Sequence, residues 1–230
     1  MLNILKSFVD LLIPKSCFCC QAPSKTPVCV DCKSLFNFVE KPYCEKCGYP
    51  TLYKVNSCRQ CRGKRNYFNT ARSLLLYEGS AKKAILSLKL ESAFALADYF
   101  AHEAVSRLEA DFFDTTALTY MPTTFSKKIR RPHNASELLA KSLAYYLKIP
   151  VFETLAIKKK IKDQAGLKFD ERMNNLRGAL KVKREFQLQG TILLVDDIYT
   201  TGATANEACK ALMGKNLKVN VFTLGRTMKC

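Results

Sequence analysis

Two sets of residues in this 230-residue chain have types and spacings suited to chemistry. The first is LLVDDIYTTGAT, residues 193–204, where an apolar run delivers Asp196 and Asp197 to a loop of threonines around one glycine. If that loop opens a helix, its backbone N–H groups, the helix macrodipole and the hydroxyls of Thr200, Thr201 and Thr204 make a pocket for a dianionic phosphate. Gly202 lets the main chain approach closely. Two nearby carboxylates are wrong for binding phosphate, but right for accepting hydrogen bonds from vicinal hydroxyls or for holding a hydrated magnesium ion. A 5-phosphorylated ribose presents both features at that separation. The plainer reading of the same residues is a helix N-cap with adjacent surface acids.

The second set is sulfur. Of eleven cysteines, nine fall between Cys17 and Cys61, and eight of these form four C-x-x-C pairs. Two sulfurs on one tight knuckle reach a common ion at about 2.3 Å, and two knuckles complete the tetrahedral thiolate site that suits zinc. The region is poor in long apolar runs, so metal binding would supply its folding free energy. A disulfide framework would require an oxidising compartment, which nothing in the sequence indicates. Sequential pairing gives one ribbon from Cys17, Cys20, Cys29 and Cys32 and another from Cys44, Cys47, Cys58 and Cys61; a cross-braced arrangement would exchange the inner pairs. One or two zinc ions are expected. If one site alone fills, the second is favoured, because Gly48 follows its C-E-K-C knuckle where the backbone must turn. Cys19 is a spare, and Cys209 and Cys230 are not expected to be ligands.

Around these knuckles Lys33, Lys41, Lys46, Lys54, Arg59, Arg62, Lys64 and Arg65 are interleaved with Phe36, Phe38, Tyr43, Tyr49, Tyr53 and Tyr67. Cations for phosphates and rings for stacking bases are what a binder of single strands needs. The same residues also fit a solvated face over a small aromatic core.

The elements that must position the phosphate pocket come from the remainder of the chain. From about residue 71, strand-like and helix-like segments alternate, which argues for βα units and a mostly parallel sheet flanked by helices. Strands are expected at SLLLYEG, ALTYMP, TILLVDD and KVNVFTLG, and helices over 81–90, 93–108, 134–147 and 203–213, with Ser80 and Ser92 as candidate caps. A basic loop covers 158–168. In such sheets ligands bind beyond the carboxyl ends of the strands, which points to the loops after Met121 and Val195. The domain division that follows is a helix and zinc-ribbon module over 1–66 and an α/β domain over 67–230.

Composition sets the wider bounds. Hydrophobic residues make up 48% of the chain, enough for one well-packed core with a smaller module attached. Lysine and arginine number 37 against 20 acids, a formal charge of +17. Such a field favours polyanions: nucleic acid, phosphorylated small molecules or an anionic membrane face. The opening segment has apolar residues at helical spacing before Pro14, but Lys6 and Asp10 interrupt it and no small-residue cleavage site follows, which argues against a signal peptide. No run approaches the roughly 18 apolar residues of a membrane span. A cytoplasmic protein is expected, with a peripheral role at the inner face of an anionic membrane left open.

LLVDDIYTTGAT resembles the phosphoribosyl pyrophosphate (PRPP) motif of type I phosphoribosyltransferases, and the whole chain resembles the ComF family of competence proteins, in which a cysteine-rich zinc module precedes such a domain. IPKSCFCC, YEGSAKKAILSLKL, MPTTFSKKIRRPHNASELLA and DQAGLKFDERMNNLRGAL are similar, in order, to the family's other segments. The resemblance implies a type I phosphoribosyltransferase-like fold. It implies that Asp196 and Asp197 bind ribose hydroxyls, directly or through magnesium, and that Thr200, Thr201, Gly202, Ala203 and Thr204 hold the 5-phosphate. The loop 122–124, with Thr123 and Thr124, would approach the pyrophosphate, and Lys127, Lys128, Arg130 and Arg131 would neutralise it. Cations there also suit a departing pyrophosphate on general grounds. Gln164, Arg172 and Asn175 fall on family positions without a physical assignment.

The chain departs from the family where Pro132, His133, Asn134 and Ala135 replace a glycine, an aromatic, an asparagine and a glutamine, keeping the asparagine alone. Proline stiffens a loop that transferases use as a mobile lid. Nothing resembles a pocket for a particular nucleobase. The expected function is a DNA-handling protein of natural transformation that binds single-stranded DNA and a PRPP-type ligand, alongside other DNA-uptake proteins. The alternatives are an active phosphoribosyltransferase with an unidentified acceptor, and a PRPP-sensing regulator.

Overall fold

The computed structural model describes residues 16–88, 94–123, 133–158, 178–183, 189–213 and 217–228. The expected N-terminal helix and Cys230 lie outside them.

Four strands form a parallel sheet in the order β1 (Ala71–Leu76), β6 (Leu217–Arg226), β5 (Gly190–Tyr199), β2 (Ala117–Tyr120). These are the four strands the sequence predicts. A strand in such a sheet is buried on both faces, so its side chains divide by parity. Leu193, Val195, Phe222 and Leu224 join one core, with α2 (Gly79–Ser87), α3 (Phe94–Arg107) and α4 (Ala135–Leu147). Ile192, Leu194, Val219 and Val221 join the other, with α5 (Ala203–Met213). Among the described residues no helix is long and apolar enough to cross a membrane.

The cysteine-rich module wraps the β1 edge. Its first half carries one short helix, α1 (Val30–Ser34), and buries Cys17, Cys32, Val28 and Phe36 in the α3-side core. Its second half buries Cys44, Cys47, Cys58 and Cys61 in the α5-side core. The link between the halves pairs antiparallel with the strand edge: Val39 N–H donates to Leu74 O at 2.9 Å, and Leu76 N–H donates to Asn37 O at 2.8 Å. Edge groups that would otherwise face water are thereby closed. At the opposite edge a parallel bridge does the same work: Leu118 N–H donates to Pro150 O at 2.8 Å, and Phe152 N–H donates to Leu118 O at 2.9 Å.

Two strands were absent from the sequence reading. Leu155–Ile157 (β3) and Leu180–Val182 (β4) pair antiparallel as a separate two-stranded arm. The helix expected over 81–90 begins instead at Gly79, with Glu78 rather than Ser80 before it.

Glu103 on α3 fastens the first ribbon. Lys33 Nζ donates to one oxygen at 2.6 Å and Arg107 Nε to the other at 3.0 Å. Burial alone would raise the carboxyl's pKa, but the two cations outweigh it and hold it below the usual carboxylate value. A group whose pKa is depressed by folding contributes stability above its unfolded pKa, about 4.3, and loses it as pH falls through the folded value. Glu103→Gln is therefore expected to cost about 1–2 kcal/mol at neutral pH, a modest figure because both cations are partly exposed. Urea midpoints should show the gap between variant and parent closing below about pH 4.

Candidate functional site

The carboxyl ends of β2 and β5 are neighbours, with Tyr120 in register with Val195 and Met121 N–H donating to Val195 O at 3.0 Å. This places the loop after β2 beside Asp196. Asn134, the residue kept from the expected motif, is the N-cap of α4: its side-chain oxygen accepts from Ser136 N–H at 3.2 Å, while its amide donates to Met121 O at 2.9 Å. Ser136, on the first turn of α4, then donates through its hydroxyl to Asp196 Oδ1 at 3.2 Å. Sequence reasoning passed over Ser136; its signal was its place two residues after a cap that faces the acidic strand end.

β5 does not stop at the acids but continues paired with β6 through Tyr199. Asp196 and Asp197 are half-buried at the sheet rim, and Asp196 Oδ1 also accepts from Asp197 N–H at 2.9 Å. Residues 200–202 turn the chain into α5, as expected. Thr201 Oγ1 accepts from Ala203 N–H at 3.2 Å, so one of the amides assigned to phosphate is met here by the loop's own hydroxyl. Gly202 has φ +75°, and a Cβ there would lie 2.1 Å from the Tyr199 hydroxyl oxygen. Its freedom is needed first for the buried tyrosine that folds over it.

Thr123 lies beside this site, in a cavity of about 290 Å³ that also involves Tyr120, Asn134, Glu137, Glu153 and Lys183 and is roofed by β3. Burial, aided by the charges of Glu137 and Glu153, pushes the Tyr120 phenol up to about 12, so it remains a proton donor. Thr124, Lys127, Lys128, Arg130 and Arg131, and likewise Gln164, Arg172 and Asn175, lie outside the described residues. His133 packs edge-on to Phe94, with ring centres 4.9 Å apart.

The cysteines assemble sequentially. Cys17, Cys20, Cys29 and Cys32 form one cage and Cys44, Cys47, Cys58 and Cys61 the other, with all sulfurs of a cage within 4.8 Å of one another. This settles the pairing against the cross-braced arrangement. Four thiolates at tetrahedral zinc stand about 3.8 Å apart, from a bond of about 2.3 Å; Cys20 and Cys29 are 3.8 Å apart and Cys47 and Cys58 are 3.7 Å apart. Backbone N–H groups point at the sulfurs, from Cys29 to Cys17 at 3.3 Å and from Cys58 to Cys44 at 3.2 Å, as thiolates at a metal require. The donors fit zinc in both cages. Gly48, at φ +68°, follows the first knuckle of the second ribbon, where a Cβ would stand 2.7 Å from Ala71 O.

The basic and aromatic residues separate into two roles. Lys46 is turned inward, donating to Phe68 O at 2.6 Å. Arg59, Arg62, Lys64 and Arg65 are exposed. Of the rings, Phe36 and Phe38 pack together, Tyr43 lies under Arg72, Tyr49 under Arg226, and Tyr67 under both Arg65 and Lys210. Tyr53 differs, at 71% exposed beside Leu52 at 95%. The aromatic core thus accounts for most of the rings, and Tyr53 stands outward with the four cations.

Two complete cages predict two zinc ions per chain by elemental analysis. Chelation should unfold both ribbons and uncover sheet surface on both faces, read as a gain in binding of a hydrophobic dye.

The match to known proteins follows the same division. Residues 8–62 match the double zinc ribbon domain. Over 217 residues the chain is 28% identical to competence protein F of Haemophilus influenzae, covering 88% of this chain and 92% of that protein. It is 27% identical to competence protein ComFC of Bacillus subtilis, covering 87% and 84%. It is 26% identical to DNA utilization protein YhgH of Salmonella typhimurium, covering 95% and 100%. Among solved structures it is similar to an orotate phosphoribosyltransferase from Aeropyrum pernix, at 18% identity and a TM-score of 0.37 over 74% of this chain and 72% of that one. With two cysteine cages ahead of a parallel sheet flanked by helices, the chain is similar over most of its length to competence protein F and to ComFC.

Proposed function

We propose that this protein handles DNA during natural transformation, binding single-stranded DNA through its second ribbon and a PRPP-type ligand at the end of β5. The observation that carries the reading is the juxtaposition at that strand end. Half-buried Asp196, backed by Ser136, stands beside half-buried Asp197, and a threonine loop opens α5 within the same few residues. Asp196 and Asp197 would meet ribose hydroxyls or hold magnesium, whose hard oxygen preference they suit. The loop 200–204 would meet the 5-phosphate, using the amides and dipole of α5. The relatives named for competence and DNA utilization support the biological setting.

For the DNA strand, exposed Tyr53 would offer a stacking face and Arg59, Arg62, Lys64 and Arg65 would neutralise phosphates. Fluorescence anisotropy should show a preference for single over double strands, with affinity falling steeply as salt rises. Tyr53→Ala is expected to cost about 1–3 kcal/mol, whereas Arg62→Ala should lower the salt slope by about one. Calorimetry with PRPP and magnesium should show binding that Asp196→Ala with Asp197→Ala removes. Equal affinity for both DNA forms would remove the first half of the reading, and no heat with PRPP the second.

A second reading, an active phosphoribosyltransferase, is favoured by the cavity lined by Thr123 and Asn134, which offers Tyr120, Glu137 and Lys183 to an acceptor. Incubation with PRPP, magnesium and a panel of bases should then release pyrophosphate. Silence across the panel, with binding intact, would leave the protein a binder alone.

A further inference from the structure

Arg226, at the end of β6, links the second ribbon to the phosphate loop. It is 1% exposed and is the largest fully buried side chain among the described residues. Its Nη1 donates to Cys47 O at 2.7 Å. Its guanidinium carbon stands 5.2 Å from the centre of the Tyr49 ring and 5.0 Å from that of Tyr199. Among the described residues no carboxylate lies within ion-pair distance of it, and its Nε has no hydrogen-bond partner.

Arginine cannot shed its charge, and a buried guanidinium without a counter-charge is strongly unfavourable. The adjacent negative group is the second cage, to which Cys47 contributes a sulfur. Four thiolates around one zinc(II) carry surplus negative charge. Tyr199 is held between Arg226 and the edge of Phe68, at 6.5 Å, and its hydroxyl occupies the space above Gly202. Thr227 N–H donates to Tyr199 O at 3.1 Å, so two consecutive residues at the end of β6 grip the first residue of the loop. Among the described residues the first ribbon has no such link; Phe18 O accepts from the Ser87 hydroxyl on α2 and Lys33 donates to Glu103 on α3, on the opposite face of the sheet.

We propose that Arg226 is a positioning residue for the loop 199–204, with the zinc–tetrathiolate of the second ribbon as its counter-charge, so that the second zinc site and the phosphate loop are energetically coupled. This rests on the phosphoribosyl reading of that loop. Zinc in the first ribbon is structural in this scheme. Zinc in the second keeps Arg226 seated, Arg226 covers Tyr199, and Tyr199 fixes the turn at Gly202.

The test uses full-length, zinc-loaded protein, with PRPP and magnesium as the probe and chelator competition to measure the affinity of each zinc. Arg226→Met is expected to bind PRPP about ten-fold or more weakly and to lower the affinity of one zinc of the two by a similar factor, the range seen when groups supporting metal ligands are removed. Arg226→Lys, which restores the charge without the planar fork, should recover zinc affinity more fully than PRPP affinity. In the parent protein, reciprocity requires saturating PRPP to tighten that same zinc and leave the other unchanged. A general loss of packing would instead weaken both zincs together. If Arg226→Met does not fold, the parent measurement decides alone. Zinc affinities indifferent to PRPP in a protein that binds it would overturn the coupling and spare the phosphoribosyl reading, whereas a parent that binds no PRPP would bring down both.

Discussion

A parallel sheet must be covered on two faces and closed at two edges, and this constraint shapes the molecule more than any single contact. Helices α3 and α4 cover one face and α5 the other, but neither group reaches across the β1 edge. The double ribbon fills that gap by straddling it, with one cage in each core and the link over residues 37–39 hydrogen-bonded to β1. Cysteine sulfurs here do the work that leucines do elsewhere in a core, and they remain in place because a metal gathers them. The zinc module is thus a wall of the α/β domain as well as an attachment to it.

The same arrangement explains how a chain of charge +17 keeps its ribbons fixed. Part of that charge is turned inward. Arg72 and Arg226 are buried, lie over Tyr43 and Tyr49, and donate to the carbonyls of Glu45 and Cys47, both within the first knuckle of the second ribbon. Lys46 between them bonds to Phe68 O. Each pairs a cation with a ring or a carbonyl, an arrangement that gains strength away from water. Arg59, Arg62, Lys64 and Arg65 remain outside on the same half of the module, so one short stretch of chain supplies both the fastening and an outward basic face.

What the sequence made legible was local. C-x-x-C spacing announced the cages, short apolar runs alternating with helical periods announced the four strands, and the helices over 134–147 and 203–213 appeared where expected. What escaped was long-range. β3 and β4 have three residues each, too few to show a period, and each is a strand because of the other. Tyr199 and Arg226 stand in register across β5 and β6, but 27 positions separate them in the chain, and neither carries a mark of burial in its neighbours. The interleaved aromatics misled for the same reason: composition places rings beside cations, but does not tell whether the cations cover those rings or stand apart from them. Tyr67 under Arg65 and Lys210 and Tyr53 in solvent look alike in sequence.

The loop at the start of α5 is closed on itself in this structure, which bears on how it can accept any anion. Thr201 Oγ1 occupies the Ala203 amide, and the Tyr199 hydroxyl sits over Gly202. An anion arriving there displaces a neutral hydroxyl from an amide and replaces it with a charge-assisted bond, roughly twice as strong. The exchange favours the anion only if the turn itself does not move, because a turn that rearranged would lose the ordering already present. Immobility is what the end of β6 provides, through Arg226 against the Tyr199 ring and Thr227 on its carbonyl. Preorganisation at this site therefore depends on the sheet and the second ribbon rather than on the threonine loop, whose composition announces the chemistry but cannot by itself hold the geometry.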